Sequence, residues 1–121
     1  MEKRRILYID DEPVNLQLFR LTFQNEFEIT TTEAPAEGLR LLEKADTYSV
    51  VISDMRMPKI TGLEILTRAK ELQPLSYRIL VTGLLEDENI ESAIANEIVH
   101  IIVYKPWAKA EFLEILRRGH N

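Results

Sequence analysis

The chain has 121 residues, 45% of them hydrophobic, no cysteine and a net charge of −5. These values predict one domain around one core and exclude a disulfide framework, a thiolate zinc site and a cysteine nucleophile. The acidic balance argues against nucleic-acid binding by this chain, because phosphate contacts need clustered Lys and Arg. Taken in order, the chain begins with the basic residues Lys3, Arg4 and Arg5 and a strand candidate, "RILYI" (5–9), which stops at Asp10 and Asp11. Neither a signal peptide nor a membrane span tolerates that break, so the expectation is a soluble, cytoplasmic domain over 1–121 with no membrane contact. A helical pattern follows over 13–25, with Pro13 in its first turn and Leu16, Phe19, Leu21 and Phe23 as its apolar residues. Then come a strand at 27–31, a helix over 34–45 beginning near Pro35, and a strand at 49–53 running into Asp54. A helix over 61–72, a strand at 78–82, a helix over 86–96 led by acidic residues, a strand at 99–104 and a helix over 108–118 closed by arginines complete the chain.

Strict alternation, with every connector long enough for a crossover, predicts an α/β fold: a doubly wound, five-stranded parallel sheet with helices on both faces. In such a sheet all C-terminal strand ends lie on one side, and that side forms the ligand crevice. The first strand ends in Asp10 and Asp11, the third in Asp54, the fourth in Thr82 and the fifth in Lys105, while the second offers only Thr32 and Glu33. Placing the second strand at an edge and the first beside the third gives the order 2-1-3-4-5, the flavodoxin-like arrangement. With strands about 4.8 Å apart, the fifth stands roughly 10 Å from the third. Only a side chain as long as lysine returns charge across that gap.

Three carboxylates gathered in one crevice repel, and a divalent cation resolves the conflict. Oxygen ligands with no histidine or thiolate nearby favour a hard ion, and Mg²⁺ leaves positions open for phosphoryl oxygens. Lys105 would supply a second positive charge, Thr82 a hydroxyl donor, and ionised Asp54 the nucleophile for phosphoryl transfer. Taken singly, each residue has a plainer reading: Asp10 and Asp11 as a turn or helix cap, Thr82 as a strand residue, Lys105 as a solvated charge. Their agreement at four strand ends favours a site.

Through "YIDDEP", "ISDMRMP", "LVTG" and "YKPW", in that order, the whole chain resembles the receiver domains of two-component response regulators. The resemblance implies that Asp54 accepts a phosphoryl group from the phosphohistidine of a sensor histidine kinase or phosphotransfer protein. It implies Mg²⁺ held by Asp10, Asp11, Asp54 and the backbone carbonyl of Arg56, and phosphoryl oxygens bound by Thr82 and Lys105, with Gly83 leaving access. It also implies a cis peptide at Lys105-Pro106, which proline permits. Such a domain is a phosphoacceptor that assists its own phosphorylation and dephosphorylation, not a conventional enzyme, and it switches conformation to signal to a partner or output domain. The surface of helix 4, strand 5 and helix 5 would carry that signal, to a partner or to a dimer mate, and Ile90, Ile94 and Ile102 read as exposed on it. One departure stands out. The aromatic residue that many receivers carry three positions before the strand-5 lysine is Ile102 here, and by period two Tyr104 faces the same side, so Tyr104 is expected to take part of that role.

Other classes fit less well. A haloacid dehalogenase-type phosphatase carries a second Asp two residues after its nucleophile, which "IDDEP" lacks. A flavin- or nucleotide-binding module would need a Ser-, Thr- or Gly-rich phosphate loop after the first strand, where "DDEPVN" offers negative charge instead. A receiver that no longer accepts phosphate would lack some of the family positions, and all five are present. His100, read in the last strand, and His120, near the end of the sequence, have no metal-like partner and are left without a role. Trp107, Phe112 and Leu116 are expected to pack the last helix.

Overall fold

Strands and helices alternate along the chain: β1 (Arg4–Ile9), α1 (Pro13–Phe23), β2 (Phe27–Thr32), α2 (Pro35–Lys44), β3 (Val50–Asp54), α3 (Gly62–Leu72), β4 (Tyr77–Thr82), α4 (Glu88–Ala95), β5 (Ile101–Tyr104) and α5 (Lys109–Arg118). The computed structural model describes residues 3–44, 47–83 and 88–119. Ala45, at the end of the second predicted helix, Glu86 and Asp87, at the start of the fourth, and His120 lie outside the described residues. The strands pair in parallel in the order β2-β1-β3-β4-β5. This is the doubly wound arrangement expected from the residues at the strand ends.

Period-two alternation divides the core between the two faces of the sheet. Ile6, Tyr8 and Ile52 face α1 and α5, where they meet Phe19, Phe23, Phe112 and Leu116. Leu7, Ile9, Val51 and Leu80 face the other way, against Leu42, Leu66 and Ala93. β3, covered on both faces, is buried along its whole length. The aromatic residues gather under α1, with Phe19 edge-on to Tyr8 at 5.0 Å and to Phe112 at 5.4 Å, and Trp107 edge-on to Phe112 at 5.1 Å. Trp107, Phe112 and Leu116 thus pack the last helix as expected.

The structure departs from the sequence-based expectations in the placing of several residues. Leu21 is exposed, because a turn of 3.6 residues aligns Leu16, Phe19 and Phe23 and swings Leu21 away from them. Ile90 is buried beside Ala93 on the inner face of α4, so of the three isoleucines expected on the surface only Ile94 is exposed, with Ile102 half-buried. β5 begins at Ile101, because the Val99 amide still donates to the Ala93 carbonyl at the end of α4. His100 therefore precedes the strand, its ring stacked on Tyr77 at 5.2 Å and its Nδ1 accepting the Arg78 amide at 2.9 Å.

Charge is sorted along the strand direction. Arg4, Arg5 and Arg78 stand at the N-terminal ends of β1 and β4, where Arg4 donates to the Leu116 carbonyl and buried Arg78 to the carbonyls of Ser76, Glu97 and Ile98. Asp10, Asp11 and Asp54 stand at the C-terminal ends of β1 and β3. Among the described residues, no helix is long and apolar enough to cross a membrane.

Candidate functional site

Asp54 is the last residue of β3, paired with Val81, and the chain turns sharply beyond it. The Met55 amide still reaches the Val81 carbonyl at 2.9 Å, and the Gly62 amide then donates to the Met55 carbonyl at 2.9 Å, folding the start of α3 back against the strand end. Gly62 is what the fold requires there, since a Cβ would strike the Asp54 carbonyl oxygen and stand 2.8 Å from Leu80 Cδ1. Thr61 caps α3 by accepting the Glu64 amide, and Lys59 adopts the left-handed conformation, φ 72°, within the loop. The apolar run of β3 thus delivers a carboxyl group to the sheet edge on a backbone fixed from both sides.

Asp10, Asp11 and Asp54 each present a carboxylate oxygen within 4.8 Å of the others. Asp10 and Asp54 are buried and Asp11 is half-buried. Lys105, from the loop after β5, crosses the end of β4 to place its Nζ 2.9 Å from Asp54 Oδ1. Thr82 ends β4, buried, and its carbonyl accepts the Lys105 amide at 2.9 Å. Gly83 follows it, exposed, with nothing within 4 Å of where a Cβ would stand. The Arg56 side chain is exposed, and its backbone, two residues past Asp54, pairs with Thr61. The Lys105-Pro106 peptide is cis.

Burial pushes the Asp54 carboxyl above the usual range; the Lys105 hydrogen bond pulls it down, the Asp10 charge pushes it up again, and the net direction is up. Lys105 is also raised: burial works against its charge, but the hydrogen bond and charge of Asp54 outweigh burial. The ammonium therefore gains from the pair, while Asp54 remains an over-crowded anion. This donor set, carboxylates alone and in excess of nearby positive charge, suits a hard divalent ion such as Mg²⁺.

Two neighbours of Asp10 escaped the sequence reading. Tyr8 Oη donates to Asp10 Oδ2 at 3.0 Å and Asn15 Nδ2 to the same oxygen at 3.2 Å, while the Glu12 amide donates to Oδ1 at 2.9 Å. Burial, then the Asp10 charge, pushes the Tyr8 phenol far above its ordinary range, so it remains a donor. Period two places residues 8 and 10 on one side of a strand, a signal that could have found Tyr8. Asn15 meets Asp10 only through the turn into α1. Beside the site, a groove of about 390 Å³ is lined by Tyr8, Asn15, Leu18, Lys105, Pro106 and Trp107. Leu18 belongs to an apolar stripe on α1 with Val14 and Leu21, the three exposed by 53%, 72% and 62%.

A family profile described as the response regulator receiver domain matches residues 6–117. The chain is 29% identical over 114 residues to the hydrogenase transcriptional regulatory protein HoxA of Cupriavidus necator, covering 94% of this chain and 23% of that regulator's length. Among solved structures, an adenylate cyclase chain from Rhodopirellula baltica superposes with a TM-score of 0.91 at 29% identity, over 98% of this chain and 87% of that one. A CheY-like response regulator receiver domain protein from Methanospirillum hungatei superposes with a TM-score of 0.88 at 26% identity, over 97% and 93% of the two chains.

Proposed function

The chain belongs to the response regulator receiver domain family, a signalling family, and on that premise we propose that Asp54 is its phosphoacceptor. The donor is the phosphohistidine of a sensor histidine kinase or phosphotransfer protein. A carboxylate oxygen of Asp54 attacks phosphorus, the phosphorus–nitrogen bond breaks, and its electron pair returns to the imidazole, which takes a proton from water. The product is an acyl phosphate on Asp54.

Asp10, Asp11 and Asp54, with the backbone carbonyl of Arg56, would hold Mg²⁺, which when bound offsets the carboxylate charge and that of the phosphoryl oxygens. Lys105 keeps Asp54 ionised and ready to attack, then moves its ammonium to a phosphoryl oxygen once the acceptor oxygen is esterified. Thr82 donates its hydroxyl to another phosphoryl oxygen, and Gly83 leaves the approach open. The apolar stripe of α1, Val14, Leu18 and Leu21, lies where a donor presenting its histidine to Asp54 would rest. The same site hydrolyses its own phosphoryl group when water takes the donor's place.

Phosphorylation adds about two negative charges to the crevice, drawing on Thr82 and the loop after it. The change passes through α4, β5 and α5 to a partner, an output domain or a dimer mate. With Ile102 at the usual aromatic position, Tyr104, 44% exposed at the end of β5, carries part of the response. Acting in the cytoplasm fits a kinase-coupled switch.

The observation that carries this reading is the 2.9 Å contact between Lys105 and Asp54, two strands apart, beside two further carboxylates. Incubation with Mg²⁺ and acetyl phosphate followed by intact mass tests it. The protein should gain one phosphoryl group and Asp54→Asn none; equal gain by both would remove Asp54 as the acceptor.

A further inference from the structure

Tyr8 stands inside β1 among Phe19, Ile52 and Phe112, where a phenylalanine would fill the same space. A buried hydroxyl is costly unless it is bonded, and this one donates to Asp10 Oδ2. A carboxylate oxygen has two lone-pair sites. Oδ2 fills both, with Tyr8 and Asn15, whereas Oδ1 accepts the Glu12 amide. Chelation through both Asp10 oxygens would therefore cost the Tyr8 or the Asn15 bond, which favours Asp10 serving the cluster with Asp11 and Asp54 through one oxygen.

We infer that Tyr8, assisted by Asn15, is a positioning residue that makes Asp10 a one-oxygen partner and so tunes the carboxylate site for Mg²⁺ over Ca²⁺. The inference rests on the metal reading of the preceding section. Mg²⁺ demands a compact octahedron, whereas Ca²⁺ takes six to eight oxygens and accepts bidentate carboxylates. Freeing Oδ2 removes the restraint that works against the larger ion, and partners of this kind typically change metal affinity by about 10- to 100-fold.

The test is equilibrium titration of the wild-type chain, Tyr8→Phe and Asn15→Ala with Mg²⁺ and, separately, Ca²⁺, followed by Trp107 emission and by melting temperature. Trp107 is the sole tryptophan and lines the groove with Tyr8 and Lys105. In Tyr8→Phe the Kd for Mg²⁺ should rise about tenfold while that for Ca²⁺ moves less than about threefold. Asn15→Ala should shift the ratio in the same direction, and it carries the test if Tyr8→Phe fails to fold. A ratio of the two Kd values that stays at its wild-type level in the folded variants overturns the role of Tyr8 and leaves the metal site standing. A wild-type chain that binds neither ion overturns both.

Discussion

Replacing Lys105 with Met removes the ammonium 2.9 Å from Asp54 and leaves three carboxylates facing one another. At that distance and an effective dielectric near 20, the direct attraction lost is about 6 kcal/mol, of which desolvation of the pair cancels part. A second limit is firmer, because Asp54 can take up a proton instead. Moving an ordinary aspartate from near ~3.9 to neutrality at pH 7 costs about 4 kcal/mol, at ~1.36 kcal/mol per pH unit. The variant should therefore lose about 2 to 4 kcal/mol at pH 7 in the absence of divalent ions, and no more than about 1.5 kcal/mol at pH 5. The sign follows from the raised folded pKa of Asp54: stability is fully present below the unfolded carboxyl value and is lost as pH rises through the folded one. Lys105, raised as well, contributes throughout this window and its share is lost only above the ordinary lysine range. Urea unfolding of wild type, Lys105→Met, Asp54→Asn and the double variant between pH 5 and 8 reads these terms. A loss that is equal at both ends of the range, or that persists unchanged in the Asp54→Asn background, would refute the reasoning.

Leu18→Glu places a charge on the apolar stripe of α1 without touching the carboxylates; transfer from a phosphorylated donor protein should slow by tenfold or more while labelling by acetyl phosphate stays at its wild-type rate. Gly62→Ala drives a methyl group into the Asp54 carbonyl and Leu80, so urea unfolding should show a loss of about 3 kcal/mol together with weaker Mg²⁺ binding. In spectra of the free and beryllofluoride-bound forms, Tyr104 should change rotamer and environment, and an unchanged ring would leave β5 without an aromatic reporter.

The sheet order was legible because the chemistry-bearing residues sit at strand ends, where Asp10 and Asp11 after β1, Asp54 in β3, Thr82 in β4 and Lys105 after β5 indicate which strands are neighbours. Lys105 was legible for the same reason, since its length is the only means of crossing β4. The misreadings came from pattern without context. Leu21 matches an apolar pattern yet faces outward by a fraction of a turn, and Ile90 looks like surface until Ala93 is seen beside it on the buried side of α4. Nothing in the sequence marks Gly62, because its necessity depends on how closely α3 approaches the Asp54 backbone. Asn15 lies five residues from Asp10, a spacing that means nothing until the turn into α1 brings its amide around.

The clustering of Asp10, Asp11 and Asp54 at one end of the strands concentrates negative potential there in a way that the net charge of −5 does not convey. Field lines from Asp10, Asp11 and Asp54 converge at one pole, so small cations are steered there before any contact forms. At the other end of the strands Arg5 is paired with Glu28 and Arg78 is buried against backbone carbonyls. The capture rate for a divalent ion should accordingly fall as ionic strength shortens the reach of that field to about 10 Å at 0.1 M salt.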